Sequence, residues 1–209
     1  MAAGLLCTQA CDSIDDLSGG ADAPEVTYGS TTYEADFYEP GNSSVPSIDW
    51  NGAQGTVSLG SNIEGLSVNS TTGQLQWTKL LPPGTHEVEV VVANSEGQVV
   101  VPISINNPLA GSFAGTIYEN DDPYDLAIDF NADGTAIVVP NTFEYTGTYV
   151  VQEDDSVLVN LVRSSDSFKI SLLGQITQTA SHVTYSGNYY LSHDADPDEK
   201  LENFTVDLE

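Results

Sequence analysis

The sequence predicts an all-β protein in which a β-sandwich is followed by an eight-strand antiparallel β-barrel. From Val26 onward, apolar and polar residues alternate with the period of two that is typical of half-buried strands. Turn-forming residues interrupt this alternation every ~8–12 positions, the spacing of short strands in sandwiches and barrels. Asn106, Asn107 and Pro108 divide the strands into two series, because proline cannot continue a central strand.

Residues 1–11 precede this pattern and are mostly small and apolar, as in the last part of a secretory signal peptide. Residues 8–11 (TQAC) resemble the lipobox of bacterial lipoproteins. The acidic run that follows (DSIDD) resembles the export signal of surface lipoproteins from the Bacteroidota. The resemblance implies a lipid on Cys11 and an outward-facing anchor in the outer membrane, with Cys7 as the alternative site. Residues 12–25 are acidic and glycine-rich, which predicts a flexible tether.

Residues 26–106 contain the first series of strands and have the length and rhythm of an immunoglobulin-like sandwich. The predicted strands are 32–38, 47–50, 56–59, 66–68, 75–78, 86–93 and 98–105. Residues 65–77 (GLSVNSTTGQLQW) and the turn 94–97 (NSEG) resemble the cadherin-like immunoglobulin repeats of bacterial surface proteins. This resemblance implies a spacer or an adhesion module.

Residues 109–209 contain the second series, with rows of apolar residues at alternate positions that share one face of each strand. The predicted strands are 112–118, 124–130, 135–139, 145–151, 156–162, 167–173, 182–191 and 203–208. Consecutive antiparallel strands with short connections can close into an up-and-down barrel, which has no exposed edge. Residues 111–116 (GSFAGT) and 130–135 (FNADGT) resemble those of small lipocalin-like barrels. A second sandwich is the alternative.

Charge and composition exclude several classes of function. The chain has 31 acidic and 4 basic residues, which give a net charge of −27. No basic patch can therefore hold phosphates, and this excludes nucleic-acid binding. His86, His182 and His193 are scattered, and the sequence has no HExxH, phosphate-binding or GxSxG motif. We therefore expect no enzymatic activity.

Carboxylates alternate at Asp194, Asp196 and Asp198, as they do at the start of a calcium-binding loop. In an eight-strand meander this loop lies at the same end as the first hairpin, which contains Asp121 and Asp122. Closure of the barrel makes the two loops neighbours, at the end opposite the tether. The sequence thus predicts a weak Ca²⁺ site at these five residues, with a solvated acidic loop as the alternative.

Tyr190 follows Tyr189 in a predicted strand, so one of the two rings is expected to point outward. An exposed tyrosine beside carboxylates is typical of a sugar-binding surface, and Tyr190 is the predicted ligand-binding residue. Together the patterns predict a non-catalytic cell-surface lipoprotein that binds or adheres to a carbohydrate or a surface protein. The alternatives are a structural subunit of an envelope or extracellular assembly and a carrier of a small ligand inside the barrel.

Overall fold

The computed structural model describes residues 23–209. The predicted leader 1–11 with Cys11, and all but the end of the tether 12–25, lie outside the described residues. The described chain is all-β and contains, besides its strands, one short 3-10 turn at Pro197–Glu199. No helix in this part of the chain has the length and apolar character needed to span a membrane.

The first unit is a sandwich of small sheets. Its strands are β1 (Glu25–Thr27), β2 (Thr32–Glu34), β3 (Gly41–Asn42), β4 (Ser47–Asp49), β5 (Thr56–Leu59), β6 (Leu66–Val68), β7 (Leu75–Trp77), β8 (Gly84–Ala93) and β9 (Gln98–Asn107). One sheet has the order β2-β9-β8-β5, a second has the order β3-β7-β6, and β1 pairs with β4. Side chains from the two larger sheets share one buried core, which includes Trp77 and Val90.

Two strands of the first unit escape prediction, and one predicted strand is too long. β1 and β3 are only two or three residues long, so they are too short to show any alternation. The predicted strand 32–38 ends at Glu34, because the chain leaves the sheet there and runs toward the second unit.

The second unit is a closed barrel, as predicted, so the alternative of a second sandwich is wrong. Its strands are β10 (Gly111–Glu119), β11 (Asp122–Phe130), β12 (Thr135–Pro140), β13 (Tyr145–Val151), β14 (Ser156–Arg163), β15 (Lys169–Gln178), β16 (Val183–Tyr190) and β17 (Lys200–Leu208). Each strand pairs with the next in antiparallel fashion, and β10 also pairs with β17. This last pairing closes the sheet and removes both edges.

Inward-facing glycines let neighbouring strands of the barrel approach closely. Gly174 and Gly187 are register partners on β15 and β16. A Cβ atom on Gly187 would lie 2.1 Å from the carbonyl oxygen of Leu173 and 2.4 Å from the Cα atom of Gly174. Any other residue would therefore push these strands apart, which explains why the small barrel needs glycine here.

Aromatic rings fill the interior of the barrel in the half that is nearer the first unit. Phe130 meets Phe113 and Tyr185 edge to face, at centroid distances of 5.5 and 5.7 Å, and Tyr185 meets Phe204 at 4.7 Å. The Tyr185 hydroxyl donates to the carbonyl oxygen of Val157 at 3.0 Å, so its polar end is satisfied inside the core. This part of the barrel is a packed core rather than a ligand chamber.

One end of the barrel is held against the first unit by the segment that leaves β2. Phe37 packs into the barrel core and is only 9% exposed. The Tyr38 hydroxyl donates to the carbonyl oxygen of Thr179 at 2.9 Å, and the Lys79 ammonium lies 4.6 Å from the centre of the Tyr38 ring. Gln178 donates from Nε2 to the carbonyl oxygen of Lys79 at 2.8 Å. The first unit therefore caps this end of the barrel.

Candidate functional site

The opposite end of the barrel, which we call the distal end, is open. The connections β10–β11, β12–β13, β14–β15 and β16–β17 surround a cavity there of about 540 Å³. We call this cavity the distal cup. Its rim consists of six exposed side chains: Tyr118, Tyr124, Phe143, Phe168, Leu191 and Leu201. Its floor consists of four buried ones: Ile117, Tyr145, Ile170 and Tyr189.

Apolar surface is concentrated at this rim. Of the ten large hydrophobic side chains that are exposed in the described part of the chain, six belong to the distal cup. Scattered apolar residues are normal on a protein surface, but a contiguous group around a concave site marks a place where something binds. The rim is therefore the strongest candidate site in residues 23–209.

The only arginine of the sequence, Arg163, enters this cup. Val157, Val159 and Leu161 point inward from β14, and Arg163 continues the same row at the end of the strand. Its register partner on β13 is Tyr145, which also faces the interior. The alternation of the strand thus directs a cation among the aromatic side chains of the cup.

Aromatic rings surround the Arg163 guanidinium. Its central carbon lies 4.7 Å from the centre of the Phe143 ring, 5.1 Å from that of Phe168 and 5.6 Å from that of Tyr145. A cation within about 6 Å of a ring face is attracted by the negative face of the ring. These contacts pack the rim residues Phe143 and Phe168 against the Arg163 guanidinium.

Asp166 forms a bidentate ion pair with Arg163. Arg163 donates from Nε to Oδ1 at 2.9 Å and from Nη2 to Oδ2 at 2.6 Å. These hydrogen bonds raise the pKa of Arg163 and lower the pKa of Asp166. The same carboxylate accepts from the Phe168 backbone N–H at 3.2 Å, and the Arg163 backbone N–H donates to the carbonyl oxygen of Phe168 at 2.8 Å. The hairpin between β14 and β15 is therefore fixed by its own side chains.

Polar groups occur on the other walls of the cup. Glu119 and Asn141 line it, together with the hydroxyl-bearing Tyr189. Burial, aided by the negative charges of Glu119 and Glu202, raises the pKa of Tyr189 to about 12. The Tyr189 hydroxyl therefore stays protonated at physiological pH and can donate a hydrogen bond. The cup thus combines apolar rings with hydrogen-bond donors and acceptors.

The loops with the predicted calcium ligands lie at the distal end, but their recorded contacts differ from those expected. The Asp121 backbone N–H lies 3.4 Å from both carboxylate oxygens of Glu202, so Glu202 is the carboxylate that meets the first hairpin. Asp194 exchanges hydrogen bonds with the Asn160 side chain on β14, at 2.8 and 2.9 Å. Asp196 Oδ1 accepts from the Asp198 backbone N–H at 3.1 Å.

No group of three or more carboxylate, histidine or cysteine side chains in residues 23–209 is arranged to hold a metal ion. Asp122 pairs with Glu119 at the tip of the first hairpin, beside Asp121. Asp121 therefore lies beside Glu202, and Asp194 is hydrogen-bonded to Asn160 on the barrel wall. Calcium binding by the five predicted ligands stays a prediction.

Tyr190 is buried, which contradicts the exposure expected for it. Its side chain is only 7% exposed. Its register partner on β15 is Ser171, and the Ser171 hydroxyl accepts from the Ala195 backbone N–H at 3.0 Å. The connection 191–199 therefore lies over the outer wall of the barrel at this point. Tyr189 is also buried, at 8%, and faces the cup instead. The sequence showed alternation along the strand, but not the loop that folds back on it.

Sequence reasoning missed the distal cup for an identifiable reason. Phe143 lies in a connection, where alternation does not reveal which way a side chain points. Phe168 falls at the start of the predicted strand 167–173, where it reads as an ordinary core residue, although the observed strand begins only at Lys169. One signal was available: Arg163 extends the apolar row of β14 in a chain with a single arginine. Comparisons with protein-family models, with curated proteins and with solved structures found no match for this chain. The family resemblances drawn from the sequence therefore stay predictions.

Proposed function

We propose that the protein is a non-catalytic carbohydrate-binding module and that a terminal sugar ring occupies the distal cup. The observation that carries this proposal is the concentration of exposed aromatic and apolar side chains around one concave site with interspersed polar groups. Ligand sites of proteins typically have this composition, and a volume of about 540 Å³ falls within their usual range of roughly 300–1,000 Å³.

The chemistry of the cup suits a sugar. The C–H faces of a sugar ring are apolar and can pack on the exposed rings of Phe143 and Phe168. Its hydroxyl groups both donate and accept, and Arg163, Glu119 and Asn141 supply acceptor and donor groups on the same walls. A site with only apolar walls would not use these hydroxyl groups.

The depth of the cup favours the end of a chain over an enclosed ligand. Tyr145 and Tyr189 form its floor, and the rings of Phe130 and Tyr185 fill the barrel below. A ligand can therefore enter only partly, with the rest of the molecule in solvent. This supports a glycan terminus and argues against the carrier that sequence analysis offered as an alternative.

The arrangement of the two units supports presentation at a cell surface. The first unit caps the barrel at the end where the chain enters β10, so the distal cup lies at the end of the barrel opposite the first unit. With a lipid on Cys11, the first unit would serve as a spacer and the cup would face outward from the outer membrane. Both the anchor and this orientation are part of the proposal.

A glycan array probed with the full chain tests the proposal. We expect binding to a defined set of glycans, and a loss of about tenfold or more in affinity for Phe143→Ala, because this variant removes an aromatic ring on which the sugar is proposed to pack. The matched control is Ile137→Ala, which truncates an exposed side chain of β12 away from the cup and should bind normally. An array without signal, or equal binding by both variants, would contradict the proposal.

A further inference from the structure

We infer that Asp166 is a specificity-determining residue that makes the distal cup select neutral sugars over acidic ones. This inference rests on the proposed carbohydrate-binding function and adds the chemical class of the ligand. Three observations support it: Arg163 forms an ion pair with Asp166, three of its N–H donors have no partner within residues 23–209, and its surroundings are negatively charged.

Arg163 has donors to spare. A guanidinium carries five N–H groups, and Asp166 takes two of them, through Nε and Nη2. The other three have no hydrogen-bond partner within residues 23–209. The side chain is 20% exposed and lines the cup. Because Arg163 lines the cup, these donors are available to a ligand bound there.

The positive charge of Arg163, by contrast, is already matched. The Asp166 carboxylate lies 2.6 Å from Nη2, so the pair presents no net charge to the cup. Glu119 lines the same cavity, and the whole chain carries a net charge of −27. A ligand carboxylate would meet repulsion from both. A neutral hydroxyl can accept from the spare N–H groups and donate to Glu119 without that penalty.

Replacing one oxygen tests this reasoning with little disturbance of the fold. Asp166→Asn keeps a side-chain oxygen that can accept from the Phe168 backbone, and the side chain is 51% exposed, so the hairpin should persist. The variant leaves the Arg163 charge unmatched and open to an anion. Asp155→Asn is the matched control, since it makes the same change of charge at the capped end of the barrel.

Because Arg163 is the only arginine, its Nε–Hε group gives one cross-peak in a nitrogen–proton NMR spectrum and reports directly on the cup. The full chain and both variants are titrated at fixed ionic strength with the methyl glycosides of glucose, galactose and mannose. The methyl glycosides of the three corresponding hexuronic acids follow. For the hexose that binds, we expect the wild type to prefer the neutral form at least tenfold. We expect Asp166→Asn to shift that ratio at least tenfold toward the acid, and Asp155→Asn to leave it unchanged.

Three results would overturn the inference: equal or tighter binding of an acidic sugar by the wild type, an unchanged ratio in Asp166→Asn, or the same shift in Asp155→Asn. The same shift in Asp155→Asn would show that selectivity depends on the total charge of the protein and not on Asp166. If glycans bind in a Phe143-dependent manner while the ratio is unchanged, this inference fails and the proposed function stands. If no sugar moves the Arg163 signal and the array shows no binding, the proposed function fails and the inference fails with it.

Discussion

Single buried tyrosines in both units affect how the protein responds to alkaline pH. The Tyr185 ring is completely buried, and burial raises the pKa of its hydroxyl well above the ordinary value of 10. Burial also raises the pKa of Tyr28 and of Tyr189 to about 12. In each case the protein opposes the charged phenolate rather than stabilising it, because the ring lies among apolar neighbours or near carboxylates.

We predict that the free energy of unfolding is constant from neutral pH to about 10 and falls as the pH rises toward 12. In the unfolded chain these tyrosines lose their protons near 10, whereas the folded protein holds the protons to higher pH. The unfolded state therefore binds fewer protons in this window and gains relative stability. Urea unfolding at several pH values measures the effect, with phenolate absorbance recorded in parallel. Tyr185→Phe should flatten the fall, and full ionisation of every tyrosine near pH 10 without unfolding would refute the prediction.

The contrast between Tyr190 and Arg163 shows what a residue pattern reveals and what it omits. Alternation shows on which side of a strand a side chain lies, so the outward position of Tyr190 could be predicted. Its burial under the connection 191–199 could not be predicted from alternation. For Arg163, alternation gave an inward position that reasoning from motifs overlooked. Burial by a loop depends on tertiary contacts such as that between Ala195 and Ser171, which no local pattern encodes.

At the scale of elements, the segment after β2 joins two units that the sequence presents as separate. Strand rhythm predicted every barrel strand, because regular alternation and short turns determine the pairing of a meander. It also extended β2 through Tyr38, although residues 35–38 leave the sheet and reach the barrel. Phe37 is apolar in either role, so the pattern could not distinguish a strand residue from a cap on another domain.

We predict that Phe37→Ala destabilises the barrel by about 3 kcal/mol, the usual cost of removing a buried phenylalanine ring. Hydrogen exchange of the β10 and β17 amides reports on the barrel, while tryptophan fluorescence reports on the first unit, which holds Trp50 and Trp77. The barrel amides should lose protection while the tryptophan signal keeps its native value. Val45→Ala serves as the control, because this side chain is 56% exposed in the same unit. If hydrogen-exchange protection of the barrel amides is unchanged in Phe37→Ala, the contact of Phe37 with the barrel does not stabilise it.

At the scale of the whole molecule, negative charge is nearly unopposed. The sequence has 31 acidic and 4 basic residues. The described residues contain two ion pairs, Arg163 with Asp166 and His182 with Asp207, and the second pairs charges only when His182 is protonated. Most carboxylates therefore interact with other carboxylates through solvent. Folding brings them closer than they are in the extended chain, so the folded state bears the greater repulsion.

We predict that the melting temperature rises with NaCl concentration and reaches a plateau by a few hundred millimolar. Screening acts over about 10 Å at 0.1 M salt and over roughly 3 Å at 1 M, so repulsion between neighbouring surface carboxylates is largely removed within that range. Calorimetry in increasing NaCl measures the rise, and sucrose at matched osmolality controls for solute exclusion, which stabilises proteins without screening charge. At the NaCl plateau, CaCl₂ and MgCl₂ at equal concentration should then act alike unless a specific site binds one of them. A further rise with calcium alone that Asp196→Asn abolishes would assign that site to the connection 191–199. If the melting temperature does not change with NaCl concentration, the carboxylates are spaced widely enough that repulsion between them destabilises the folded state little.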